Sequence, residues 1–195
     1  VVREVSQAAL DKGVGSITKF MQGGVERGKV SQFDLDKVKE NLRGTTRLED
    51  LAECDIVIEA IVENIGAKQE LLAALDGLCR PEAIFASNTS SLSVTEMSTF
   101  VKRSDRVIGL HFFNPVPLMK LVEVVRTVRT NAEALQAARA WCMAVGKTVV
   151  SCGDSTGFVV NRLLVPYMVD AIRVYEQGLA SRDDIDNAMK LGCGY

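Results

Sequence analysis

Apolar residues recur at helical spacing over residues 2–27, with Val5, Ala9, Val14, Ile17 and Met21 on the repeating positions. Glycines at 13, 15, 23 and 24 argue against an unbroken helix there. Ser31, with Asp34 three residues on, is a capping signal for a second helix reaching about Leu42. The pattern then changes to short apolar runs at residues 55–62, 83–86, 106–112, 120–125 and 148–151, each read as a strand. Helical spacing returns through Lys68, Leu71, Leu72 and Leu75, and again over residues 133–145. Strands alternating with helices predict an α/β open sheet. Beyond the segment 153–157 the pattern is helical only. A helix is expected over 158–177 with Gly178 as its stop, and a further one is capped by Ser181. The chain divides near Gly153, into a sheet domain at 1–153 and the start of an all-helical domain at 154–195.

Composition narrows the classes. Of the 195 residues, 47% are hydrophobic and 25% charged, as in ordinary globular proteins. The formal charge of −2 gives no electrostatic footing for nucleic acid. No apolar run is long enough to span a membrane, and the run at 56–62 carries Glu59 and is followed by Glu63. Cys54, Cys79, Cys142, Cys152 and Cys193 are scattered, odd in number and without a C-x-x-C pair, which fits neither a zinc site nor a disulfide framework. Reduced thiols of the cytosol, or of a mitochondrial matrix, fit better. The chain opens on Val1 and closes on Tyr195, and the expectation is that it is a piece of a longer protein.

An α/β domain that binds a dinucleotide opens with a strand, G-x-G-x-x-G and a helix. These residues contain no such loop; Gly13-Val-Gly15 lacks the third glycine and sits in helical spacing. The G-x-S-x-G of a serine nucleophile is absent as well. Other motifs must carry the chemistry.

His111 is the single histidine, and it falls near the carboxyl end of an apolar strand, where open sheets place ligands. Glu123 stands inside the next apolar run, where a carboxylate is costly unless partnered. A histidine on the preceding strand would be such a partner, the carboxylate fixing the ring's tautomer. The plainer alternative is an edge-strand Glu123 facing water and a structural His111; spacing leaves both open. Ser87-Asn-Thr-Ser-Ser91 follows a short strand and suits polar ligand groups, or simply caps a helix. Asn161 lies among apolar residues about one turn into the long helix, where its amide meets a ligand or a neighbouring helix.

Together these segments resemble the L-3-hydroxyacyl-CoA dehydrogenase family. The resemblance rests on IVIEAIVEN at 56–64, FASNTSSLSVTE at 85–96, GLHFFNPVPLMKLVEVV at 109–125, GFVVNRLLVPY at 157–167 and DIDNAMKLGCGY at 184–195. It implies an incomplete Rossmann-like doubly wound sheet, without the first strand, phosphate loop and helix, followed by the first helices of an all-α domain. It implies NAD as cofactor, an acyl-CoA substrate and a homodimer, and neither a metal, nucleic acid nor a membrane. His111 would be the general base, Glu123 its orienting carboxylate, Ser90 a partner of the reacting oxygen, and Asn161 a substrate-positioning amide. Ala60, Glu63, Lys68, Ser90 and Asn114 would lie along NAD, Glu63 and Lys68 by its ribose and diphosphate. Arg27 would touch the acyl-CoA, although the family's neighbouring serine is matched here by Phe20. The pathway implied is fatty-acid oxidation, or butyrate-type or aromatic degradation. Two rivals stand beside this reading. One is a related NAD oxidoreductase acting on a hydroxy acid or sugar acid without CoA; the other is a non-catalytic relative that has kept the fold.

Overall fold

The computed structural model describes residues 1–194; the last position of the C-terminal motif, Tyr195, lies outside the described residues. The strands are β1 (Val2–Arg3), β2 (Gly44–Thr45), β3 (Ile56–Glu59), β4 (Ile84–Ser87), β5 (Val107–Phe112), β6 (Leu121–Arg126) and β7 (Thr148–Gly153). The helices are α1 (Gln7–Glu26), α2 (Gln32–Asn41), α3 (Ile65–Leu78), α4 (Val94–Ser98), α5 (Ala132–Ala144), α6 (Val160–Glu176) and α7 (Arg182–Cys193). Strands β3 to β7 form one sheet in sequence order. All its neighbours run parallel except β5 and β6, whose connection through residues 113–120 makes an antiparallel pair.

Strand β4 is buried at every position, which is why its sequence is a continuous apolar run and not an alternation. Phe85, Val107 and Val125 point to a core shared with Leu72 and Leu75 of α3 and with Val94 and Met97 of α4. Ile84, Ala86, Ile108, Leu110, Val122 and Val124 point the other way, against Ala134, Ala138 and Cys142 of α5. The period of two puts His111 and Glu123 on the first face, with Val107 and Val125. Gly109 on that face lets α4 approach, since a Cβ there would lie 2.8 Å from Val125 Cβ and 3.1 Å from Val94 Cγ2.

Two boundaries, and the continuity of the first helix, differ from expectation. The chain starts as a short strand, and α1 begins only after Ser6, whose side chain accepts from Ala9 N–H. From there α1 runs unbroken through its four glycines. The run at 55–62 ends as a strand at Glu59, because the Glu59 side chain bends back to accept from Ile61 N–H at 3.3 Å. β1 and β2 make their own two-stranded parallel sheet, and a cleft of about 370 Å³ separates β1 from β3. The cleft is lined by Val2, Arg3, Ile56, Ile58, Leu71 and Leu75 among others. Helices α6 and α7 bury no residue fully and leave Leu163 and Leu191 exposed. No described helix is long and apolar enough to cross a membrane.

Candidate active site

His111 and Glu123 are directly opposed in the antiparallel β5–β6 ladder, so register alone brings their side chains together. Both are buried, and His111 Nδ1 lies 2.7 Å from Glu123 Oε2. Glu123 is therefore no solvent-facing edge carboxylate. The Phe113 and Phe158 rings flank the imidazole, with centroids at 4.5 and 5.5 Å. A carboxylate on Nδ1 makes that nitrogen the proton carrier of the neutral ring and leaves Nε2 with a free lone pair. Among the described residues Nε2 has no hydrogen-bond partner, and it is not a buried orphan.

The second carboxylate oxygen is engaged too. Glu123 Oε1 accepts from Val159 N–H at 3.0 Å and Val160 N–H at 2.9 Å. Val159 is the N-cap of α6 and offers no capping side chain; a carboxylate from β6 instead satisfies the N-cap amide and that of the first helical residue. The turn before it has Gly157 at φ 76° and Phe158 at φ 48°. A left-handed conformation costs an L-residue about 1–2 kcal/mol, and here the Phe158 ring is buried in return. Asp154 anchors the other end of the turn, its Oδ2 accepting from Ser93 Oγ at 2.9 Å and Thr95 N–H at 2.7 Å at the start of α4. Asn161 is the second residue of α6, half-buried, not one turn in; the left-handed Phe158 delays the helix start to Val160.

A polar cluster follows the carboxyl ends of the parallel strands β3 and β4. Lys68 Nζ lies 3.0 and 2.8 Å from the two Glu59 oxygens, and Ser87 Oγ donates to the same carboxylate. Glu63 approaches Lys68 at 3.3 Å, accepts from Thr89 Oγ1, and accepts from Ser90 N–H at 3.2 Å. Burial alone would raise the Glu63 carboxyl, but the Thr89 hydroxyl, the Lys68 ammonium and the Ser90 amide outweigh it and hold it below its ordinary value. Lys68 was expected along the cofactor diphosphate. Its side chain is 1% exposed, and its ammonium pairs with the Glu59 and Glu63 carboxylates.

Ala60, Glu63, Ser90 and Asn114 are exposed, each just beyond the carboxyl end of β3, β4 or β5. Asn88 holds two of these ends together, its Oδ1 accepting from Phe112 N–H at 2.9 Å. Among the described residues, no hydrogen bond joins the Ser90 hydroxyl to His111. Arg27 is the exposed C-cap residue of α1, on a helical hairpin whose main packing is internal and against β1 and β2; no described contact brings it to His111. Phe20 on the same helix is 43% exposed. Glu59, Asp154 and Phe158 belong to the site's framework and were not singled out from the sequence, whereas Ser87 and Thr89 lie in the polar segment at 87–91 that was. For Glu59 the signal was present: a charge inside an apolar strand needs a buried partner, as at Glu123.

Residues 1–155 match the family model described as 3-hydroxyacyl-CoA dehydrogenase, NAD binding domain, and residues 157–195 match that of its C-terminal domain. The mitochondrial hydroxyacyl-coenzyme A dehydrogenase of Sus scrofa is 56% identical over 72% of this chain and 45% of its own length. The 3-hydroxybutyryl-CoA dehydrogenase of Clostridioides difficile is 40% identical over 97% of this chain and 68% of its own. The crystal structure of (S)-3-hydroxybutyryl-CoA dehydrogenase PaaH1 from Ralstonia eutropha superposes with a TM-score of 0.96 at 40% identity, over 98% of this chain and 68% of that one. That of M. tuberculosis FadB2 gives 0.95 at 42% identity, over 100% and 69%. The chain thus spans about half the length of the mammalian relatives it matches.

Proposed function

The chain belongs to the 3-hydroxyacyl-CoA dehydrogenase family, and on that premise we propose that it serves the oxidation of the 3-hydroxyl of an (S)-3-hydroxyacyl-CoA to the 3-oxoacyl thioester. The observation that carries the proposal is the buried His111–Glu123 pair, with Nδ1 tied to the carboxylate at 2.7 Å and Nε2 left open. His111 Nε2 takes the proton of the substrate hydroxyl, and the Glu123 charge stabilises the imidazolium that forms. The Phe113 and Phe158 rings pack against the imidazole at 4.5 and 5.5 Å. Ser90 and Asn161 are the proposed partners of the substrate oxygen and acyl group, and Arg27 a proposed acyl-CoA contact.

NAD, when bound, supplies the hydride acceptor. The exposed side chains suit its nicotinamide ribose more than its diphosphate. Glu63 offers an ionised acceptor beyond β3, next to Ser90, with Ala60 at the end of the same strand and Asn114 beyond β5. Lys68 is enclosed, and the 195 residues carry no G-x-G-x-x-G loop. We therefore expect this polypeptide by itself to bind NAD poorly and to turn over slowly, and a homodimer to belong to the longer protein.

The test is NADH-dependent reduction of acetoacetyl-CoA by the chain extended to the length of its bacterial relatives. Acetoacetate, the oxo acid without CoA, serves as the competing substrate. Preference for the free acid would sink the acyl-CoA assignment, and no turnover with either would leave the non-catalytic reading standing.

A further inference from the structure

We propose that the Gly157–Phe158 turn is the positioning element of the His111–Glu123 pair, acting by holding the first two amides of α6 on the Glu123 carboxylate. The proposal rests on the reading of that pair as base and orienting acid.

A carboxylate held through one oxygen can still rotate about its last bond. Glu123 is held through both: Oε2 by the imidazole of β5, and Oε1 by Val159 and Val160 of α6. Its plane, and with it the imidazole plane, is set by two elements at once. The amides point at β6 because Gly157 and Phe158 are both left-handed, at φ 76° and φ 48°. Glycine adopts that region freely and phenylalanine does not. The Phe158 backbone stays there because its ring is buried beside the imidazole, 3% exposed with centroids 5.5 Å apart. Gly157 admits no side chain: a Cβ would lie 2.9 Å from Arg162 N and 3.2 Å from Asn161 C, forcing the first turn of α6 away from Glu123. Apolar packing does not fix that turn independently, since α6 buries no residue fully. The base is therefore set only when the helix that carries Asn161 is seated.

The chain has a single histidine, so an imidazole ¹⁵N–¹H spectrum reports one ring, with no need of cofactor or turnover. Phe158→Ala and Phe158→Gly both remove the ring, but only glycine keeps the left-handed turn without strain. We expect Phe158→Gly to retain a slowly exchanging Nδ1–H and the protected Val159 and Val160 amides. Phe158→Ala should exchange the Nδ1 proton about tenfold faster and lose that protection. Identical spectra for the two variants overturn the proposal, since the turn would then not be the element that matters. Gly157→Ala tests the same point from the helix side, should Phe158→Ala fail to fold. It should release both amides with the sheet amides unchanged, and a retained wild-type Nδ1–H there also overturns the proposal. Failure of the dehydrogenase reading looks different: it appears in turnover, or in a wild-type ring with no proton on Nδ1.

Discussion

Lys68 and Glu59 form an ion pair in which both side chains are buried, with Nζ 3.0 and 2.8 Å from the two carboxylate oxygens. Glu59 ends β3 and Lys68 sits in the first turns of α3, so the pair fastens strand to helix beneath the exposed Glu63. Removing two charges from water is costly, and what offsets it here is the density of partners. Ser87 Oγ and Ile61 N–H donate to the Glu59 carboxylate, and Ile61 O lies 3.5 Å from Nζ. Lys68 thus works from below the site, as the counter-charge that lets two carboxylates sit at one strand end.

Breaking that pair from either side leaves an uncompensated buried charge. Lys68→Met and Glu59→Gln are each expected to destabilise the fold by about 3–5 kcal/mol, and the double variant by clearly less than the sum. Urea unfolding of the four proteins measures this. Additive costs would show that the two groups are not coupled.

His111→Gln keeps a side chain that can donate to Glu123 but cannot take a proton at neutral pH. In the extended protein, turnover of 3-hydroxybutyryl-CoA should fall by about three orders of magnitude, while the unfolding midpoint moves little. Steady-state kinetics with circular dichroism on the same samples checks both halves. Undiminished turnover would remove His111 from the base role.

Asp76 links α3 to the segment after α4, accepting from Lys102 N–H at 2.8 Å and Arg103 Nε at 2.7 Å. Burial pushes its carboxyl up, but the Arg103 guanidinium and the amides outweigh this and hold it below its ordinary value. A depressed folded value means that the stabilisation is fully present above the unfolded pKa of about 4 and is lost as pH falls through the lower folded one. Stability should therefore decline below about pH 4. Asp76→Asn should be less stable at pH 7 and show a shallower decline, as read from denaturant midpoints across that range. An unchanged slope in the variant would assign the acid sensitivity to other groups.

The centre of the sheet was legible because β4 and β5 are buried on both faces and so spell out apolar runs: residues 83–86 and 106–112 predict them to within a residue or two. The site was legible where a polar residue interrupts such a run, as with His111 and Glu123. What stayed hidden depends on backbone conformation or on contacts distant in sequence. That Phe158 takes φ 48°, and so starts α6 at Val160, cannot be read from a residue type that normally avoids this region. The separate β1–β2 pair was missed because strands of two residues leave no period to detect. Lys68 was placed along NAD by the resemblance alone; its pairing with Glu59 is a tertiary contact that a lysine on a helix does not announce.

The cysteines separate exposure from ionisation. All five are free; Cys193 is exposed, Cys142 is buried beneath α5, and Cys152 on β7 is half-buried. Burial pushes the Cys142 thiol up to about 11, and burial with the Glu123 and Asp154 charges does the same for Cys152. At pH 8 such thiols are ionised to about one part in a thousand, against about a quarter for an ordinary cysteine. Iodoacetamide at pH 8 should therefore label Cys193 first. Cys142 should react only as fast as α5 opens from the sheet. Cys152, reachable but protonated, should gain about tenfold in rate for each pH unit up to 10. Peptide mass spectrometry over a pH series follows all three at once. A Cys152 rate that is flat with pH would mean that access, and not the neighbouring carboxylates, limits it.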